Sequence, residues 1–198
     1  MTTALLVIDA QNVYTRKPSE LWCEDTGTTI RKINKLIEAF DDRGWPIILV
    51  RHVHRADGSD LGRMFDYTGE AEEDFNFKAG TPEVEYDERL IRPKSVLEVT
   101  KTRYGAFEGT DLDDKLRRLR ADTVVICGFM TNFCCDSTAR TAHDRDYFVD
   151  FIVDATGTPG TEKLDQGRLR RFVAECLSAG YARVSATQEY LGTLKGKR

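Results

Sequence analysis

Three side chains in this sequence have the chemistry of a covalent hydrolytic site: Asp9, Lys101 and Cys134. The cysteine supplies a nucleophile, the carboxylate can take and return its proton, and the ammonium holds both negative charges in place. Amide chemistry suits such a set, because the leaving nitrogen must be protonated as its C–N bond breaks. Taken singly, each residue has a plainer role. Asp9 could be a polar strand end, Lys101 could be solvated, and a free cysteine is often a small buried hydrophobe. Their positions argue for them jointly. Asp9 directly follows Leu5-Leu6-Val7-Ile8, Lys101 follows Val99-Thr100, and Cys134 comes shortly after Cys127-Gly128.

The elements that must carry these groups are legible from periodicity. Short apolar runs at 4–8, 46–50, 95–99, 123–127, 147–153 and 182–185 suit buried strands. Helical spacing of apolar residues marks 28–40, 111–119, 132–146 and 164–179 between them. The alternation predicts an α/β fold: a three-layer α/β/α, Rossmann-like arrangement with a mostly parallel sheet of about six strands. No internal repeat or linker divides the chain, so residues 1–198 are expected to form one domain. In open α/β sheets ligands collect beyond the carboxyl ends of strands, where strand order reverses. All three candidate groups fall at such ends. Thr131 or Asn132 is expected to cap the helix after Gly128 and place Cys134 in its first turn. Unpaired N–H groups there lower a thiol's pKa and can hold an oxyanion.

Composition limits the partners. With 40% hydrophobic and 31% charged residues the chain reads as globular, and its net charge of −4 gives no footprint for nucleic acid or an anionic membrane. A small-molecule substrate is the simpler expectation. No run approaches the ~18 apolar residues of a membrane span. Cys23, Cys127, Cys134, Cys135 and Cys176 make an odd count with one vicinal pair, which points to reduced thiols in a cytoplasm. Residues 54–89 break the rhythm, with Phe65, Tyr67, Phe75, Phe77 and Tyr86 at no steady period. This is either a functional lid or an excursion whose aromatics pack on the body. The charged tail 194–198 is expected to fray.

At these residues the chain resembles the isochorismatase-like cysteine hydrolases, a family that includes nicotinamidases, ureide and carbamoyl amidases, and isochorismatases. The matching motifs are Leu5-Leu6-Val7-Ile8-Asp9-Ala10-Gln11-Asn12, then Lys101-Thr102-Arg103-Tyr104-Gly105-Ala106-Phe107 with Thr110-Asp111-Leu112, then Gly128 through Arg140, and Val153-Asp154-Ala155-Thr156-Gly157. The resemblance implies Asp9 as acid and base, Lys101 as its orienting partner and Cys134 as nucleophile. It also implies a cis peptide at Phe129–Met130 that would aim the N–H groups of Met130 and Cys134 at the oxyanion. Gln11, Asn12, Tyr104, Phe129 and Phe133, with aromatics of 65–77, are the expected substrate contacts. A homodimer or homotetramer is implied too, and the aromatics of 54–89 give an independent reason for a subunit contact.

Two departures from the family pattern bear on function. Nicotinamidases of this family bind a metal through an Asp-x-His pair and further histidines, where this chain has His52-Val53-His54, with His143 elsewhere and Asp57 and Asp60 nearby. The pattern is incomplete, so no metal and no other cofactor is expected, and His52 is expected to hydrogen-bond near the site. Cys135 stands where relatives carry an aliphatic residue, and it should point into packing. True isochorismatases, which cleave a vinyl ether, characteristically lack the nucleophilic cysteine. Cys134 therefore favours C–N hydrolysis through a thioester. Vinyl ether hydrolysis is the alternative within enzymes, and redox sensing by Cys134–Cys135 is the alternative outside them. A sensor needs no dedicated carboxylate.

Overall fold

The computed structural model describes residues 2–66 and 75–194. Tyr67 and the tail from 195 lie outside the described residues. Strands β1 (Thr2–Ile8), β2 (Ile47–His52), β3 (Leu97–Lys101), β4 (Ala121–Phe129), β5 (Phe148–Gly157) and β6 (Arg183–Ser185) form one six-stranded sheet in the order β3-β2-β1-β4-β5-β6. Every pairing is parallel, so each connection must cross over a face of the sheet.

Alternation along β1 shows why the strand is apolar throughout. Leu5 and Val7 enter the core lined by α2 (Thr26–Asp41) and α6 (Thr187–Leu194), while Ala4, Leu6 and Ile8 enter the opposite core. The second core is covered by α3 (Leu112–Arg118), α4 (Asp136–Asp144) and α5 (Gln166–Ser178). A strand buried on both faces has no position for a polar side chain until it ends, and β1 ends at Asp9. A short α1 (Asn12–Thr15) follows, with its four residues buried.

Strand order reverses between β1 and β4, and the closest backbone approach lies at their carboxyl ends. Ile8 pairs with Gly128, and a Cβ at Gly128 would stand 1.9 Å from the Ile8 carbonyl oxygen. Gly128 also has φ +119, outside the range of L side chains.

Two features depart from the expectations above, and a third follows one of the two readings offered for 54–89. Helix α6 follows β6, where no helix was expected. The helix expected from 132 begins instead as a π turn, Thr131–Cys135, in which Cys135 N donates to Met130 O at 3.0 Å. The described parts of 54–89 are largely built on the body. His54 N donates to Phe77 O and Ala79 N to His54 O, both at 2.8 Å, and a 3-10 turn (Pro82–Val84) leads to a bridge between Tyr86 and Gln11. Phe65, Phe75 and Phe77 pack around His52 and His54 of the same chain, so their number requires no neighbouring subunit. No helix among the described residues is long and apolar enough to cross a membrane.

The contact at Gly128 sets a first prediction. Gly128→Ala cannot be accommodated without parting β1 from β4, so it should destabilise the fold by about 3 kcal/mol or more. Urea unfolding checks this, and a loss below about 1 kcal/mol would contradict the close approach.

Candidate active site

Asp9, Lys101 and Cys134 meet at the strand-order reversal. Asp9 takes φ +45, a left-handed conformation that aspartate tolerates, and its N–H donates to Val50 O at 2.9 Å. Lys101 closes β3, which is separated from β1 by β2, so its long stem crosses the sheet edge. Its Nζ lies 2.9 Å from Asp9 Oδ2, 3.2 Å from Cys134 Sγ and 2.9 Å from Arg103 O. Three N–H groups thus face three partners. Exposure is 0% for Asp9 and 1% for both Lys101 and Cys134, so water screens none of these interactions. The Lys101 ammonium and the Cys134 thiol hold the Asp9 carboxylate.

Cys134 reaches its place through β4 and the turn after it. The Phe129–Met130 peptide is cis, as the resemblance implied. Cys134 then sits in the π turn, fixed by Thr138 Oγ1, which donates to Cys134 O at 2.6 Å and accepts from Ala106 N at 3.1 Å. Thr131 and Asn132 do not cap this turn. Thr131 Oγ1 bonds Thr156 Oγ1 at 2.8 Å, and Asn132 Oδ1 accepts from Thr158 Oγ1 at 2.6 Å, which tie the turn to the end of β5. Cys135 is fully buried in the α4-side core.

Burial governs the proton positions. It pushes the Cys134 thiol up to about 12 although Lys101 pulls the other way. The low thiol pKa expected from a helix start is therefore not what this site has, because desolvation of the thiolate outweighs the nearby cation. Burial also raises Asp9, with Lys101 opposing. For Lys101, burial alone would lower the pKa, but Asp9 and Cys134 reverse that and keep the ammonium charged. The resting arrangement is a thiol beside a carboxylate of raised basicity, both against one cation.

A histidine wing adjoins the triad. His52 is fully buried, and one ligand-type nitrogen of its ring lies within 4.8 Å of an Asp9 carboxylate oxygen and of Cys134 Sγ.

The isochorismatase domain matches residues 3–188 of the chain. The chain belongs to the isochorismatase family. A cysteine hydrolase from Pseudomonas syringae pv. phaseolicola has a similar structure, with a TM-score of 0.90, 29% identity, and coverage of 98% of this chain and 92% of that one. Ureidoacrylate amidohydrolase RutB of Methylorubrum extorquens is 28% identical across 86% of this chain and 76% of its own. Nicotinamidase 3 of Arabidopsis thaliana is 29% identical across 78% of this chain and 73% of its own.

Within this isochorismatase-family hydrolase the expected substrate contacts divide. Tyr104 and Phe133 are 36% and 38% exposed, and their ring centroids stand 5.0 Å apart. Asn12 donates to Pro82 O at 2.9 Å and keeps a buried Oδ1 without a partner. Gln11 is turned toward backbone: its amide donates to His52 O and Val84 O and accepts from His52 N, at 2.9–3.0 Å. Phe129 is fully buried and stacked on Tyr14 at 5.6 Å. Motif membership marked both residues without saying which way they face.

The His52–His54 pair differs in residue type from an Asp-x-His pair. The two Nε2 atoms face each other at 2.9 Å, and His54 Nδ1 is engaged by Asp60 at 3.2 Å. Among the described residues, the cluster of ligand-type atoms around His52 is completed only by Asp9 and Cys134, the groups the covalent chemistry needs. Asp57 bonds Ser59, and His143 faces Asp144 and Tyr181.

Removing the cation should expose the cost of the buried carboxylate. Lys101→Met is expected to lose about 3–5 kcal/mol at pH 7. Asp9, already raised by burial, would rise further without Lys101, and a raised carboxylate favours the fold below its folded pKa and disfavours it above. The deficit should therefore shrink on acidification. Urea unfolding at pH 7 and pH 5 measures it, and a deficit that grows at pH 5 would contradict the assignment.

Proposed function

We propose that the chain is a cysteine-dependent amidohydrolase acting on a small amide, carbamoyl or ureide substrate through a thioester. The observation that carries this reading is the single buried ammonium of Lys101 in contact with both Asp9 Oδ2 and Cys134 Sγ. Asp9 takes the thiol proton, and the sulfur attacks the carbonyl carbon as the thiolate forms. A tetrahedral oxyanion results, and the N–H groups of Met130 and Cys134 are assigned to receive it. Protonated Asp9 then gives its proton to the departing nitrogen, the C–N bond breaks, and ammonia or an amine leaves. Water attacks the thioester, Asp9 accepts the water proton, and the acid departs as that proton returns to sulfur.

The raised thiol pKa supports concerted transfer, since a free thiolate would be scarce at neutral pH. The proton moves between two groups that both contact Lys101 Nζ, so the negative charge stays beside the ammonium whichever group carries it. Relatives named ureidoacrylate amidohydrolase and nicotinamidase support amides as the substrate class.

Ammonia release from a panel of small amides, carbamates and ureides tests the reading. Cys134→Ala and Asp9→Asn should each lose roughly 10³-fold or more, and the double variant should be little worse than either single one. Cys135→Ala should retain most activity. A Cys134→Ala enzyme with near wild-type turnover would remove the thioester route.

The pH profile gives a separate check. Only the ionised form of Asp9 can accept the thiol proton, so kcat/KM should fall as pH drops through the Asp9 pKa. Because burial raises that pKa, the acid limb should lie above the ordinary 3.8. An acid limb at or below 3.8 would show that a different group is titrating.

A further inference from the structure

Beside the triad runs a row of buried polar groups that the hydrolytic steps leave unused. His52 Nε2 and His54 Nε2 are 2.9 Å apart, and His54 Nδ1 lies 3.2 Å from Asp60 Oδ1. Proton positions along this row follow from its outer end. Both Asp60 oxygens accept the Arg55 N–H, at 3.1 and 3.2 Å, so the carboxylate acts as an acceptor and His54 Nδ1 carries the proton it receives. Burial lowers the pKa of both rings, and Asp60 opposes this at His54, so each neutral ring has one N–H. His54 Nε2 is then a lone pair, and the proton between the rings belongs to His52 Nε2. His52 Nδ1 is left as a lone pair.

That atom is buried without a hydrogen-bond partner, in a ring with no exposed surface. A buried acceptor with no protein partner calls for a donor, and a substrate N–H is one such group. One nitrogen of this ring lies within 4.8 Å of an Asp9 oxygen and of Cys134 Sγ, and Nε2 is engaged by His54, which leaves Nδ1 as the nitrogen free to accept. Lys101 does not serve it, because its three N–H groups face Asp9, Cys134 and Arg103 O. Phe77 stacks on His52 at 4.3 Å and 13°, while Phe65 and Phe75 meet His54 edge-on, which fixes both ring planes.

We propose that His52 is a specificity-determining residue whose Nδ1 lone pair, fixed by the Asp60–His54–His52 row, accepts an N–H of the substrate beside Cys134. The substrate class is thereby narrowed to carbonyl compounds bearing hydrogen on nitrogen: primary amides, carbamoyl groups and ureido groups. An ester of the same acid offers no such donor and leaves Nδ1 unpaired. The inference rests on the amidohydrolase reading above and assigns His54 and Asp60 as positioning residues.

The test compares the best primary amide of the panel with the methyl ester of the same acid. His52→Phe keeps a ring against Phe77 and removes the lone pair. It should lower kcat/KM for the amide by about 10–100-fold while leaving the ester rate nearly unchanged. Equal losses on both substrates, or no loss on the amide, overturn the role of His52. Nitrogen-15 NMR of the wild-type histidine rings tests the same row without a variant. His52 should be protonated on Nε2 and His54 on Nδ1. A proton on His52 Nδ1, an imidazolium at either ring, or one metal ion per chain lost in His54→Gln would overturn the proposal. Wild-type enzyme that releases no ammonia from any panel member would instead overturn the amidohydrolase reading itself.

Discussion

A lysine ammonium sealed away from water is strongly unfavourable unless each of its N–H groups meets an acceptor and its charge meets an opposite one. Lys101 meets both conditions at the carboxyl edge of the sheet, and each of its partners comes from a different place. Asp9 ends β1, Cys134 lies in the turn after β4, and the Arg103 carbonyl follows β3 itself. Since β2 separates β3 from β1, only a long unbranched side chain can span the gap. An arginine would bring a planar fork with a different donor geometry, and a shorter residue would not arrive. The ion pair therefore fixes which residue type can stand at the end of β3. It also fixes how near the ends of β1 and β4 must come.

That nearness is a backbone matter first. Gly128 lets β4 press against Ile8 where a Cβ would collide, and the chain then turns through the cis Phe129–Met130 peptide into a π turn. A π turn is wider than an α turn and displaces the side chains that follow it, a device found often at functional sites. Hydroxyl groups complete the positioning: Thr131 with Thr156, Thr158 with Asn132, and Thr138 with the Cys134 carbonyl. None of these touches the reacting sulfur. They hold the turn that holds it.

This division governs what the sequence could and could not disclose. Strands buried on both faces leave continuous apolar runs, so Asp9 after Ile8 and Gly128 after Cys127 stand out from residue order alone. The triad was legible for the same reason, since a charged residue ending such a run suits a site far better than a core. Helix α6 was hidden because it is short and carries few apolar residues: Tyr190 and Leu194 reach the core, with Leu191 partly buried beside them and Gly192 between. The π turn was hidden because its pattern matches an α start, and Thr131 and Asn132 are ordinary capping residues whose true partners lie about 25 positions away. Gln11 shows the same limit. Its membership of the first motif suggested a substrate contact, and its amide closes the gap between His52 and Val84.

The histidine wing differs from the triad in how it is held, and the difference has a consequence. Triad positions are set by strand ends and a sterically forced turn, so a substitution there disturbs the fold itself. His52 and His54 lie at the end of β2 and just beyond it, and their proton arrangement depends on side-chain bonds that reach out to Asp60, whose side chain is 26% exposed. A change at Asp60 alters which nitrogen of His54 carries a proton, and through it which nitrogen of His52 does. Neither step requires Asp9, Lys101 or Cys134 to move. On the proposed reading, hydrolytic chemistry and the choice of substrate are anchored to separate parts of one sheet edge. In a family whose members include a ureidoacrylate amidohydrolase and a nicotinamidase, such separation lets recognition change while the buried ion pair stays intact.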